Sequence, residues 1–326
     1  MSVELVELSG RLTDEHVDWI TSVYGPVDAK YRSADYVRHQ FVDNPYGRSV
    51  NVFAVADGGP VGHCGVVPFR ARRGEEVFAA GKLEALVVDA SHRGGSVATD
   101  ILSRLYPLAV ESGLRPLFGL APPAVARIHV RAGCHLVPTN APAYACVTDP
   151  ASFGRRRLAA GALAAAQRAL LLFPRSRPEV GPPSAADESL AVGDHSATAW
   201  TVTGADAWEW FAGSGVLRVL EAPGSHALVR LDESQPSTVQ ILAWRPQRRG
   251  LAAAFALLRT ALALARAHRA PTLRFQPWRG DEDERALARA CSLAGFLRRP
   301  EADLLLYPDG PGVDDFRLTP FFYVTF

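Results

Sequence analysis

At 326 residues the chain is long enough for two domains, and its 48% apolar content suits ordinary packed cores. Its 35 basic and 34 acidic residues leave a net charge of +1, so bulk electrostatics imply neither a nucleic-acid nor a membrane-surface partner. Nearly all the basic residues are arginine, since only Lys30 and Lys82 are lysines. Met1-Ser2-Val3-Glu4 has no export character, and the apolar run from Leu158 to Phe173 carries Gln167 and Arg168 and is too short for a bilayer. Cys64, Cys134, Cys146 and Cys291 share no metal-type spacing. The expectation is a cytoplasmic protein with reduced thiols, no metal and no membrane span.

Tyr36-Val37-Arg38-His39-Gln40-Phe41 reads as a short early helix, and Asp43-Asn44-Pro45-Tyr46-Gly47 as a Pro-Gly turn after it. Strands at 51–56 and 61–67 flank Asp57-Gly58-Gly59, a hairpin turn. Leu83-Glu84-Ala85-Leu86-Val87-Val88 is the next strand. It runs into Asp89-Ala90-Ser91-His92-Arg93-Gly94-Gly95-Ser96, a small Gly-rich turn with an arginine at its mouth. A helix starts at once, with Val97, Ile101, Leu105, Leu108 and Ala109 at helical spacing, Pro107 expected to kink it and Gly113 to stop it. Strand, turn and helix together aim backbone N–H groups at one spot, a way of holding phosphate with few side-chain charges. Pro116 to Leu120 is a short buried strand, and a helix covers 124–131. Ala132-Gly133-Cys134 then turns the chain into strands around Leu136 and at 144–147.

The series recurs roughly 160 residues later. Trp208-Glu209-Trp210-Phe211 stands for the early helix, 238–244 is a strand, and Gln247-Arg248-Arg249-Gly250 is the turn. A helix with Leu251, Phe255, Leu258 and Leu262 on one face follows, then a strand at 272–275 and a helix opening near Asp281 and Glu282. Ala294-Gly295-Phe296 mirrors Ala132-Gly133-Cys134, and Asp303 to Tyr307 closes the second set as 144–147 closes the first. The expected organisation is a first domain over 1–148, a linker helix and Pro-rich linker over 149–190, and a second domain over 191–326.

From Glu84 to Ala98 the sequence resembles the acyl-CoA-binding core of the GNAT acyltransferases, whose loop reads Arg/Gln-x-x-Gly-x-Gly/Ala. Arg93, Ser96 and Ala98 stand at the three defining places, with Ser96 replacing the first glycine. Asp43 to Gly47 resembles the Asn-Pro-x-Gly turn of a set of bacterial tandem GNAT proteins, many of them found with polysaccharide or secondary-metabolite genes. The resemblance implies an α/β fold of two tandem GNAT-type domains, each a mixed twisted sheet flanked by helices, with the second domain degenerate. It implies acetyl-CoA or another acyl-CoA as co-substrate and a small-molecule amine, less readily a hydroxyl, as acceptor. The strand before the loop would splay from its neighbour, leaving backbone groups of Leu86, Val87 and Val88 for the pantetheine and the thioester carbonyl. Arg93, Gly94, Gly95, Ser96, Val97 and Ala98 would take the pyrophosphate. Tyr36, Asp43, Tyr46 and His63 would line the acceptor pocket.

Two residues carry the acid–base work in this reading. Glu84 is the candidate base, and strand alternation is expected to place it on one face with Leu86 and Val88. The competing reading is a strand-end glutamate in an ion pair. His129 lies four residues before Gly133, where the family often has a tyrosine acid, and an imidazole with a pKa near working pH would serve. It reads equally as a polar residue on a helix face. Cys134 as an acyl-enzyme nucleophile and the terminal Phe326 carboxylate as a base are the weaker options. Two functional alternatives stay open: a non-catalytic acyl-CoA- or partner-binding protein, and an acyltransferase fed by an acyl carrier protein docked on Arg155, Arg156 and Arg157.

Overall fold

The computed structural model describes residues 3–10, 12–27, 29–73, 75–121, 123–137, 143–149, 161, 178, 180–182, 184, 200–202, 217–231, 238–247, 249–275, 282–299 and 303–307. Among these, strands form two mixed sheets that belong to two separate units. Trp208 to Phe211, Arg155 to Arg157, the residues from Pro320 to Phe326 and most of the expected linker lie outside the described residues.

In the first unit, β1 (Glu4–Leu8), β2 (Val50–Ala56), β3 (Gly59–Arg73) and β4 (Glu76–Val88) run as an antiparallel meander, and β5 (Leu117–Ala121) joins β4 in parallel. Two helices cover one face. Helix α1 (Asp14–Tyr24) buries Val17, Ile20 and Tyr24. Helix α2 (Ala34–Phe41), capped by Ser33 Oγ accepting from the Tyr36 N–H at 3.3 Å, buries Val37, Gln40 and Phe41. The other face takes α3 (Val97–Glu111), whose Ile101, Leu102, Leu105, Tyr106 and Ala109 pack on Val52, Ala54, Cys64, Val66, Leu83 and Val88. Helix α4 (Pro123–Arg131) adds Ala126 to this core. Helix α3 continues through Pro107, where the ring costs it a backbone donor but does not end it. No β1 or α1 is expected from the sequence reading, and β3 and β4 reach further than their apolar cores at 61–67 and 83–88.

The second unit repeats the scheme. β10 (Leu217–Ala222), β11 (Ser225–Arg230) and β12 (Thr238–Pro246) form the meander, and β13 (Thr272–Phe275) joins β12 in parallel. Helices α5 (Leu251–Ala267) and α6 (Glu282–Leu293) pack Leu257, Leu258, Leu262, Leu287 and Cys291 on Val239, Ile241 and Phe275. Val180–Gly181, expected within the linker, forms the edge strand β8 beside β10.

The last strands are exchanged. β7 (Ala143–Val147), expected to close the first set, lies between β13 and β14 (Leu297–Arg299) in the second sheet. β15 (Asp303–Tyr307), expected to close the second set, lies between β5 and β6 (His135–Val137) in the first. β9 (Trp200–Val202) also pairs within the first sheet, on β3. Both exchanged strands are short apolar runs following the same Ala-Gly turn and short strand, so local pattern names them as strands without naming their neighbours.

Candidate functional site

The site begins where β4 and β5 part. Their parallel pairing comprises Gly81↔Leu117 and Lys82↔Phe118, while β5 continues from Gly119 to Ala121 paired on its far side with β15. From Leu83 to Val88, β4 is therefore held by β3 alone. A bulge interrupts even that ladder, because Gly65 opposes Glu84 and His63 opposes Val87, so Cys64 faces both Ala85 and Leu86. Unpaired backbone of β4 thus opens toward β5 at Leu86, Val87 and Val88.

The bulge also corrects an expectation. An unbroken alternation puts Glu84, Leu86 and Val88 on one face, but the extra residue reverses the parity after Glu84. Leu86 and Val88 pack into the core under α3 with Leu83, whereas Glu84 points to the face covered by α1 and α2. The Glu84 carboxylate and the side chains of Leu86 and Val88 are sorted to different sides by one inserted residue.

Beyond β4 the loop leaves the start of α3 open. Arg93 Nε donates to the Val88 carbonyl at 2.8 Å, which fixes the loop on the strand end. Gly94 has φ +87° and Gly95 follows it; a side chain at either would meet nothing within 4 Å. Arg93, Gly94, Gly95 and Ser96 are exposed, Val97 and Ala98 half-buried, and no side chain caps the first turn of α3. Free first-turn N–H groups, a positive helix end and an arginine converge there, which fits the pyrophosphate of an acyl-CoA. Asp89 is engaged by its own turn: its Oδ1 accepts from the Ser91 N–H at 2.9 Å, and hydrogen bonding to Ser91 holds its carboxyl below the usual range.

Glu84 sits in a buried polar cluster and is 2% exposed. Its Oε1 accepts from the Tyr31 hydroxyl, and Lys82 Nζ, itself 0% exposed, stands 2.5 Å from Oε2. The Tyr31 ring stacks on Tyr24 at 4.7 Å and meets the Tyr36 ring edge-on at 5.4 Å. Tyr24 in turn donates to the His63 carbonyl at 3.1 Å and lies 3.1 Å from His63 Nδ1, while His63 Nε2 is 3.1 Å from Asn51 Oδ1. Burial and then the Glu84 charge push the Tyr31 phenol up; burial, Cys64 and Glu84 do the same to Tyr24. Burial drives His63 down to about 3, so this ring is neutral and packed among Tyr24, Phe41 and Phe53. It supports the cluster from below.

The structure thus brings Glu84, Tyr36 and His63 into one chain of contacts. Tyr46 packs elsewhere, 6.3 Å from the Phe69 ring and 5.4 Å beneath the Arg70 guanidinium, and Asp43 is exposed beyond α2. The turn between them is pinned by Asn44, whose Nδ2 donates to the Pro68 carbonyl at 3.1 Å and whose Oδ1 accepts from the Tyr46 N–H at 2.8 Å. Tyr24, Tyr31, Asn51 and Lys82 are absent from the sequence-derived site. Lys82 had a legible signal: one of two lysines in the chain, two residues from Glu84 on an otherwise apolar strand.

His129 departs from its expected chemistry. It is 4% exposed, its Nδ1 shares a 2.5 Å hydrogen bond with the Tyr106 hydroxyl of α3, and burial lowers it to about 4. At neutral pH the ring is uncharged, not poised near the working pH. Cys134 is 5% exposed and burial raises its thiol to about 11, which removes the thiolate an acyl-enzyme needs.

The equivalent crossing of the second unit runs from β12 to α5. Arg249 Nη1 lies 3.1 Å from Glu282 Oε2 and its Nε 3.4 Å from Asp283 Oδ1, both from the first turn of α6. Two carboxylates therefore stand beside the α5 N-terminus.

No family model and no curated protein matches the sequence. Solved structures do match the fold. The GCN5-related N-acetyltransferase of Kribbella flavida superposes with a TM-score of 0.51, covering 94% of this chain and 70% of its own at 13% identity. The GCN5-related N-acetyltransferase of Anabaena variabilis gives 0.52 over 93% and 72% at 11% identity. The chain has the GNAT fold. A tandem GNAT protein from the clavulanic acid biosynthesis pathway covers 95% of this chain and 99% of its own, with a TM-score of 0.56 at 13% identity. The fold is accordingly present twice, in the tandem GNAT arrangement.

Proposed function

We propose that the protein is an acyltransferase that moves an acetyl or other acyl group from acyl-CoA to the amine of a small molecule, by direct attack in a ternary complex. The observation that carries this reading is the run from the β4–β5 parting through the bulge to the exposed, uncapped start of α3. That path offers backbone groups at Leu86, Val87 and Val88 and an anion seat at Arg93 to Ala98, in the order pantetheine then pyrophosphate. When bound, acyl-CoA supplies an activated thioester. The chain's part is to orient it along β4, to polarise its carbonyl with backbone N–H near Val87, and to accept the amine proton at Glu84. His129 is assigned here only as a neutral ring near the α3–α4 junction that would offer an N–H to the departing sulfur.

The fold suggests a small-molecule acceptor, and no helix among the described residues is long and apolar enough to cross a membrane. We place the reaction in the bacterial cytoplasm and in secondary metabolism; the clavulanic acid biosynthesis pathway of the tandem counterpart is in keeping with the second. A second reading, acyl-CoA or partner binding without turnover, is favoured by the closure of Glu84 beneath Tyr31.

The test is thermal stabilisation by acetyl-CoA, longer acyl-CoAs and free CoA, on wild type and on an Arg93→Glu/Ser96→Glu variant, followed by acetyl transfer to a panel of primary amines. Saturable stabilisation lost in the variant, with transfer to an amine, supports the reading. Stabilisation without any transfer favours the binding protein. No stabilisation by any donor removes the CoA site and leaves the carrier-fed alternative to be tested with acyl carrier protein.

A further inference from the structure

We propose that Lys82 and Tyr31 are positioning residues that clamp Glu84 as an oriented carboxylate at the apex of the β4–β5 opening. The inference rests on the assignment of Glu84 as base. It goes further by naming the groups that pair with this buried carboxyl and fix its orientation.

Lys82 is the last β4 residue paired with β5, and Glu84 is the next residue on the same face. Both are sealed: their side chains are 0% and 1% exposed. A lone carboxylate in such a place is strongly disfavoured and takes up a proton. Here the ammonium of Lys82 at 2.5 Å from Oε2 supplies the compensating charge, and the Tyr31 hydroxyl on Oε1 supplies a donor. A carboxylate offers about four lone-pair positions. Two contacts, one per oxygen, fix its plane and leave lone-pair positions unused. The other titratable groups of the cluster are Tyr24 of α1, Tyr36 of α2 and His63 of β3, while Cys64 of β3, on the α3 side, donates its thiol to the Glu84 backbone carbonyl at 3.2 Å; burial holds the histidine neutral and the phenol of Tyr24 and the thiol of Cys64 protonated. Lys82 is therefore the cation of the cluster among the described residues, and Tyr31 the hydroxyl that touches the carboxylate.

The clamp has a signature that mere packing lacks. Lys82→Met keeps the side-chain length and removes the charge, leaving a buried carboxylate that prefers its protonated form. The expected result is that Lys82→Met, relative to wild type, gains melting temperature as pH falls from 7 to 5, and that this gain disappears in Lys82→Met/Glu84→Gln. The double variant is the safeguard against misfolding, because a neutral pair is tolerated where a broken one is not. For acetyl transfer from acetyl-CoA to a primary amine, Lys82→Met shifts the acid limb of the kcat/KM profile upward by about one pH unit, a tenfold loss at the limb. Lys82→Arg leaves the limb in place, Tyr31→Phe moves it less, and the double variant regains its melting temperature but not its activity.

An acid-side melting gain that is absent in Lys82→Met, or that persists in the double variant, overturns the clamp whatever the activity. Wild type that binds acetyl-CoA without transferring it overturns the catalytic reading of Glu84, while the melting series still decides the pairing.

Discussion

The crossing from β4 to α3 and the crossing from β12 to α5 use one backbone device with opposite electrostatics. Each strand has a parallel neighbour, each carries a bulge (Ala85–Leu86 in β4, Leu242 in β12), and each leads to a helix without a side-chain cap. In the first unit the helix start is bare and the arginine is tied back to its own strand. In the second, Arg249 is engaged by Glu282 and Asp283, and the acids that draw it away would repel a diphosphate. Strand, bulge and helix N-terminus are thus insufficient for an anion site. The neighbouring helix decides whether the positive end is offered or cancelled.

The largest expected effect breaks the comparison if it falls on the wrong side. Arg93→Glu/Ser96→Glu is expected to weaken acetyl-CoA binding about 1000-fold, or ~4 kcal/mol, by calorimetry, whereas Arg249→Glu leaves it within about threefold. A greater loss from Arg249→Glu would move the donor to the second unit. Next is the apex itself. A Cβ on Gly81 would collide with Val66 Cγ1 and sit 2.7 Å from Leu117 Cδ2, so Gly81→Ala is expected to cost about 3 kcal/mol in denaturant unfolding. Gly94→Ala has open space and pays only for its positive φ, about 1 kcal/mol; equal costs would mean the apex is not tightly packed.

Acid provides a third contrast, since both buried histidines among the described residues, His63 and His129, belong to the first unit. Their pKa values fall to about 3 and about 4 on folding. The unfolded chain therefore binds protons that the folded rings refuse as pH drops below roughly 6.5, and stability declines toward pH 4 while staying flat above 7. At pH 5 each ring accounts for about 2 kcal/mol, and His129→Gln is expected to flatten its share of the slope in pH-dependent melts. The smallest effect belongs to the second loop. Arg249 is well exposed, so Arg249→Ala should change stability by less than about 1 kcal/mol, and a larger loss would mark that ion pair as structural.

What the sequence disclosed depends on range. The β4–loop–α3 crossing was legible because strand, Gly-rich turn and helical period are local signals within a short window. The repeat was legible for the same reason, element by element. Three things were not. The parity change after Glu84 depends on how β3 pairs with β4, and nothing at Ala85 or Leu86 announces an extra residue. The environment of His129 depends on packing against Tyr106, a helix away, and the ring's own burial turns a titrating group into a neutral one. The cluster around Glu84 is assembled from α1, the turn at Ala29–Arg32, α2, β2 and β3; Tyr36 and His63 stood among the sequence candidates and Lys82 carried a legible signal, but nothing in the chain pointed to Tyr24, Tyr31 or Asn51.

The exchanged strands bear on how this protein is made. A ribosome delivers β5 and β6 long before β15, so the slot between them stays open through the synthesis of the whole second half. During that interval the nascent first sheet presents unpaired strand edges, the surfaces on which chains pair wrongly with one another. Splitting the gene at the boundary suggested by sequence would deprive each half of an inner strand and yield two sticky fragments rather than two modules. Units that exchange strands in this way depend on each other, because neither half can be discarded without leaving the other sheet short of an inner strand.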